Sequence, residues 1–187
     1  MSVTLVGDPI VSEQLVLDTL ALSGDKARMY INAVSGMFLR FTNRSRINKG
    51  ATVDKEIAPP PSEPVVWLRA TPVDEVTSIK LVLGSTETTL TADEYTLNED
   101  TGRLVLQTHV PGYPSPNQVV VSTYTGGWEE VPGEIQQTAL EMIKLQHARL
   151  TGRIGIMSES REGYSASYDQ AAVPQPVADV WRRYKVY

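Results

Sequence analysis

Gly126-Gly127 stand between a strand-like run, "QVVVSTY", and a helix-like run that opens near Glu134. Strand, glycine turn and helix N-terminus is the order that cradles phosphate in many nucleotide sites. The surrounding residues do not fit that chemistry. A Walker-type loop needs Lys and a hydroxyl residue at the helix start, where this chain has Trp128-Glu129-Glu130. The dinucleotide pattern needs three spaced glycines, and only two adjacent ones are present. Glu129, Glu130 and Glu134 would confront a bound anion with three carboxylates, and they already complement the positive end of the helix dipole. Pro132 suits a helix entry because it has no N–H to leave orphaned. The pair reads as a corner.

Other reactive types are sparse. The two histidines, His109 in a proline-rich loop and His147 on a helix, belong to no HExxH or carboxylate-rich motif. Gly-x-Ser-x-Gly does not occur, so a serine elbow is not expected. Asp74-Glu75, Asp93-Glu94, Glu99-Asp100 and Glu129-Glu130 are adjacent acids at element boundaries. Glycoside hydrolysis needs two carboxylates held across a cleft, which adjacency in a turn does not provide. The chain has no cysteine, which excludes disulfides, thiolate metal sites and a cysteine nucleophile. No enzyme activity, cofactor or metal is expected.

The elements that would position any site follow from periodicity. Ser12 is a suitable N-cap for a helix over 12–22, with Val11 and Val16 as a hydrophobic staple. Asp25 would cap a second helix, 25–42, whose stripe is Tyr30, Val34, Met37, Phe38 and Phe41. A third, 134–151, carries Ile135, Ala139, Met142, Ile143 and Leu150. Between them lies a β insertion, 52–125, including a hairpin that enters through Tyr95 and Leu97, turns at Asp100-Thr101-Gly102 and returns through Leu104 and Leu106. The segregated order predicts an α+β fold: a small helical core of two N-terminal helices plus one long helix after the sheet, an inserted antiparallel β region, and an extended C-terminal tail. The division expected is a core over 1–154 and a tether with an anchor helix over 155–187. With 41 % hydrophobic residues the chain is globular, and no apolar run approaches the ~20 residues of a membrane span, so no membrane partner is expected. The N-terminus lacks the charged n-region and long apolar stretch of a signal peptide. A net charge of −5 argues against chain-wide affinity for nucleic acid.

Two segments invite partners. "RSRINKGATVDKEIAPPPSEP" has no helical period and closes on consecutive prolines. It reads as an arm, with a strand near Thr52–Ile57, that projects to a neighbouring subunit through Asn48, Lys49, Val53, Ile57, Pro59, Pro60 and Pro61. Arg40, Arg44, Arg46 and Lys49 crowd the start of this arm, where cations at a helix C-terminus and contact with phosphates are both open readings. At the C-terminus, Val177, Val180, Trp181 and Tyr184 share one helical face beside Arg182, Arg183 and Lys185. That face either packs on its own domain or inserts into a partner.

The order of several short motifs resembles the head–tail connector (adaptor) family of tailed bacteriophages. Tyr124-Thr125-Gly126-Gly127 followed by Val131-Pro132 and a long helix is similar to that family, as are Thr42-Asn43-Arg44 after the helix pair and Thr71-Pro72-Val73-Asp74-Glu75-Val76 entering the β block. Asp93-Glu94-Tyr95, Thr101-Gly102-Arg103-Leu104, Ser158-Glu159-Ser160 and Pro174–Val177 continue the resemblance from about Val11 to the C-terminus, and the polyproline stretch from Pro59 departs from it. The resemblance implies a structural virion protein, assembled in the host cytoplasm. It would form a ring of twelve subunits between the portal protein and the tail or head-closure protein, with DNA passing through the channel without sequence-specific binding. The tail residues Val177, Val180, Trp181, Arg182, Arg183 and Tyr184 would then bind the portal. Another virion joint, such as a head-closure or tail-completion protein, is the alternative within the class. A virion hydrolase and a sugar-binding module are the rivals outside it.

Overall fold

The computed structural model describes residues 3–5, 8–60, 62–107, 118–150, 158–161, 164–167 and 173–186. The chain runs α1 (Glu13–Leu20), α2 (Gly24–Thr42), β1 (Gly50–Ile57), β2 (Val65–Trp67), β3 (Val73–Leu83), β4 (Thr86–Thr89), β5 (Tyr95–Asn98), β6 (Arg103–Leu106) and β7 (Val119–Gly126). It continues through α3 (Gly133–Ala148), β8 (Ser158–Arg161), β9 (Tyr164–Ser167) and α4 (Gln175–Arg182). Helices at both ends around a β block make it α+β, as the patterning requires. It folds as two units: unit 1 is Met1–Thr42 with Val131–Lys185, and unit 2 is Asn43–Glu130 with Val186–Tyr187.

In unit 1, the Ser12 hydroxyl accepts from the Leu15 amide at 3.2 Å and starts α1. Ala21 adopts the left-handed conformation at φ 49° and ends it after Leu20, two residues short of Leu22. Arg28 on α2 donates through Nε to both Glu13 oxygens at 3.0 Å, which ties the first two helices together. Asp25 is not a cap: α2 starts at Gly24, and Asp25 lies inside the first turn, where it accepts from the Val3 amide at 3.1 Å. The α2 stripe is Ala27, Tyr30, Ile31, Val34 and Phe38, all buried, with Met37 and Phe41 on its margin. On α3 the buried residues include Ile135, Ala139, Met142 and Ile143. Leu150 continues their spacing but is 64 % exposed, because α3 ends at Ala148.

In unit 2, four strands form an antiparallel sheet in the order β1-β7-β3-β4, and three form a second sheet, β2-β6-β5. The hairpin pairs Tyr95 with Leu106 and Leu97 with Leu104, and Gly102 turns it at φ +70°. Val66, Leu68, Leu104 and Leu106 from the smaller sheet and its loops pack with Ile79, Leu81, Val120 and Tyr124 from the larger one in a single core. Strand alternation explains this, since β7 buries Val120, Ser122 and Tyr124 and turns Val119, Val121 and Thr123 outward.

The segment Gly50–Ile57 corrects the expectation of a projecting arm. It pairs with β7 over its whole length, from Gly50 against Gly126 to Ile57 against Val119. Pro59 and Pro60 follow it, and Pro61 lies outside the described residues. So do His109, its proline-rich loop, and most of the expected tether, within which β8 pairs with β9.

Candidate assembly interface

At the glycine corner the amides of Gly127 and Trp128 are already taken. The Gly127 amide donates to the Pro72 carbonyl at 2.9 Å, and the Trp128 amide to the Ile47 carbonyl at 2.8 Å. Gly127 sits at φ +100°, and a Cβ there would lie 2.6 Å from the Asn48 oxygen. One on Gly126 would lie 2.0 Å from the Ala70 oxygen. Both glycines are required by close backbone approach.

The basic group is held by its own chain. Arg44 donates to the Thr71 carbonyl at 2.5 Å and stacks 4.0 Å over the Trp128 ring. Arg46 donates to the carbonyls of Asn48 and Ala51 at 2.9 and 2.6 Å. Lys49 lies 3.0 Å from Asp74 and 3.9 Å from Glu129, and the hydrogen bond to Asp74 raises its pKa. Arg40, which belongs to unit 1, donates to the Gly36 carbonyl. These contacts organise the loops around Asn48 and Thr71. One of the acid pairs is bound locally: Thr91 holds both Asp93 and Glu94 in a turn. His147 lies 3.2 Å from the Tyr30 hydroxyl within unit 1. Among the described residues, no three His, Cys, Asp or Glu side chains are grouped to hold a metal.

The C-terminal face is internal. Trp181 is fully buried and meets Phe38 and Phe41 edge-on, with centroids 5.3 and 5.8 Å away. Its indole N–H donates to the Thr138 hydroxyl at 2.9 Å, and Val177 is buried beside it. Arg183 bonds Glu134 at 2.7 Å, and the Tyr184 hydroxyl donates to the same carboxylate. Of the two readings left open by the sequence, packing on its own unit is the one observed. Trp181 and Val177 are therefore not a free anchor, and α4 leaves Arg182 and Arg183 exposed and Val180 half-buried.

β1 carries the feature that sequence patterning missed. Thr52, Asp54 and Glu56 point toward the covered side, while Ala51, Val53, Lys55 and Ile57 point out. Val53 is 56 % and Ile57 80 % exposed. The inversion is stabilised from distant residues: the inward Asp54 carboxylate accepts from the Arg69 amide at 2.7 Å and the Tyr124 hydroxyl at 2.5 Å. That hydroxyl in turn accepts from the Ala70 amide at 2.8 Å. Burial, then the bond to Asp54, pushes the Tyr124 pKa far above the ordinary phenol value. Glu56 pairs with the Arg69 guanidinium at 3.1 Å. With its polar side chains satisfied inside, β1 presents Val53 and Ile57 outward beside Val119 and Val121 of β7.

No protein-family model matches the chain, and no curated protein does. Solved structures do. A chain in the neck of an empty GTA particle computed with C6 symmetry matches at 18 % identity and TM-score 0.61, covering 100 % of this chain and 95 % of that one. A chain in the virion of a native gene transfer agent particle matches with the same values. One in the neck of a native GTA particle computed with C12 symmetry matches at 17 % identity and TM-score 0.57, covering 100 % and 97 %. This chain shares their fold.

Proposed function

We propose that this protein is a structural component of the neck of a phage-like particle, a head–tail connector (adaptor) that forms a ring between the portal and the tail or head-closure protein. The observation that carries the reading is the fold match to chains of particle necks, with nearly the whole of each chain aligned. Twelve copies is the number that accords with a neck computed with C12 symmetry. The β1 strand, with Val53 and Ile57, is the subunit contact in this reading, and Asn48, Lys49 and Pro59–Pro60 flank it. On the tail, portal contact falls to the accessible side of α4, with Val180, Arg182 and Arg183, rather than to Trp181.

Charge supports the channel role. From Asn43 to Glu130 twelve carboxylates oppose seven cations, whereas the segments of unit 1 hold ten of each, so the whole net charge of −5 resides in unit 2. An acidic wall repels a passing phosphate backbone and prevents adhesion. The test is particle mass in solution, alone and with portal-bearing heads. A closed ring at a fixed multiple of 20.6 kDa is expected under at least one of these conditions. A monomer that neither self-associates nor binds portal-bearing heads would overturn the reading.

A further inference from the structure

The larger sheet of unit 2 ends in two edges whose free backbone groups can be identified. The Ala58 amide donates to the Gln118 carbonyl at 2.8 Å, so in the β1–β7 register the even-numbered residues Asp54 and Glu56 bond to β7. Antiparallel ladders alternate, so Val53, Lys55 and Ile57 aim their N–H and C=O groups away from the sheet. Ala51 confirms the parity: its carbonyl is taken by the Arg46 side chain instead of a strand. At the opposite edge the Leu90 amide donates to the Ile79 carbonyl at 2.8 Å, which leaves Glu87 and Thr89 of β4 aimed outward. Among the described residues β1 pairs only with β7, and β4 only with β3.

The two edges suit each other better than either suits itself. Every neighbouring pair in β1-β7-β3-β4 is antiparallel, so β1 and β4 run in opposite directions. β4 of one copy laid along β1 of the next is thus antiparallel, with the same face outward in both. Outward-bonding residues meet when Lys55 stands opposite Glu87 and Val53 opposite Thr89. In that register all four side chains lie on the face shared with Lys80 and Val82. Lys55 is exposed and has no ion pair among the described residues, while Glu87 is 2.9 Å from Lys80 of its own chain. Pairing β1 with β1 about Lys55 would bring Lys55 against Lys55, pairing β4 with β4 about Glu87 would bring Glu87 against Glu87, and no register of either pairing sets Lys55 opposite Glu87. Like charges opposite one another are unfavourable and unlike charges favourable, so only the head-to-tail contact gains a Lys55–Glu87 pair. Head-to-tail contacts repeat and form a ring where the rotation between subunits closes, whereas self-complementary ones stop at dimers.

We propose that neighbouring copies join by β4-to-β1 edge pairing in the register Lys55–Glu87 and Val53–Thr89, so that the sheet continues from subunit to subunit. This rests on the ring reading above and names the strands and residues that would make the ring. The natural absence of cysteine allows a direct test with the Lys55→Cys/Glu87→Cys double variant. Within one chain these positions lie on opposite edges, three strand spacings or about 14 Å apart, too far for a disulfide. Across the paired edges their Cα atoms would be about 5.5 Å apart, inside the disulfide range.

Oxidation of the assembled double variant should give a ladder of covalent oligomers on a non-reducing gel that collapses on reduction. A mixture of the two single variants should stop at dimers. Both positions are exposed, so the far-UV spectrum of the variant should match that of the natural protein. In the natural protein, the amides of Val53, Lys55, Glu87 and Thr89 should become protected from hydrogen exchange on assembly. Rings of the right mass without cross-links or this protection would overturn the edge pairing and leave the ring reading standing. No ring, alone or with portal-bearing heads, would overturn both.

Discussion

Trp181→Ala separates a docked tail helix from a free one. Trp181 is fully buried against Phe38 and Phe41, and its indole N–H satisfies the Thr138 hydroxyl. Truncating a buried Trp to Ala typically costs about 3–5 kcal/mol through lost transfer energy and the cavity left behind. The lost hydrogen bond adds about 1 kcal/mol, because Thr138 keeps its own donation to the Glu134 or Ile135 carbonyl. Against a typical total of about 5–15 kcal/mol, that is a large fraction. For a chain of this size it corresponds to a fall in Tm of about 10 °C or more. Urea unfolding followed by far-UV circular dichroism measures it, with the midpoint falling and the slope unchanged. Trp181→Phe keeps most of the apolar contact and should lose distinctly less. A free tail helix would make Trp181→Ala nearly neutral, within about 0.5 kcal/mol. A loss below about 1 kcal/mol would refute the docking of α4. Removal of Pro174–Tyr187 should for the same reason destabilise unit 1 rather than leave it intact.

Other outcomes follow from unit 2. Tyr124→Phe leaves the buried Ala70 amide without its acceptor and should cost about 1–3 kcal/mol near neutral pH, read from denaturant midpoints. It should also change the alkaline limb. The folded-state pKa of Tyr124 is raised above the ordinary value of 10.0, so above about pH 10 the unfolded chain loses this proton first. Stability from this group is complete below that pH and falls as pH rises toward the folded pKa, and Tyr124→Phe should flatten that fall. An unchanged alkaline slope would contradict the buried phenol. Gly126→Ala puts a methyl where only 2.0 Å separates it from the Ala70 oxygen, so loss of folded protein or a cost above ~3 kcal/mol is expected in thermal melts. Gly133→Ala, with nothing within 4 Å of the added carbon, should be neutral or stabilising by up to ~1 kcal/mol, and equal effects at the two sites would refute the corner argument.

Local chemistry made much of this fold legible. The stripe through Tyr30, Val34 and Phe38, the Ser12 cap and the Thr101-Gly102 hairpin are set by residues a few positions apart, so periodicity and turn preference suffice to find them. The Gly126-Gly127 corner was also readable, because the three nearby carboxylates excluded the phosphate reading without any coordinates. The fate of the tail face was not readable. Val177 and Trp181 are equally apolar whether they enter a partner or their own unit, and only the placement of Phe38, Phe41 and Thr138 decides between the two.

The strand near Thr52–Ile57 was legible, but the way β1 faces was not. Its alternation is inverted, with Asp54 and Glu56 inward and Val53 and Ile57 outward, so the sequence reads as a strand within a projecting arm rather than as a packed sheet edge. The groups that make the inversion tolerable are the Arg69 amide and the Tyr124 hydroxyl, 15 and 70 residues away, and no local window contains them. A strand that buries carboxylates and exposes Val and Ile gains nothing from that arrangement in an isolated subunit, since the apolar side chains remain in water and the carboxylates must be desolvated and paired. Part of that cost is offset when a neighbouring strand pairs along the β1 edge and sets a side chain beside Val53. The arm reading and the strand reading therefore meet at the same residues: the segment is rigid and paired rather than projecting, and its contact with a neighbouring subunit would be made by a fixed sheet edge. Because that edge is already ordered in the free subunit, assembly through it would not carry the entropy cost of folding a loose arm.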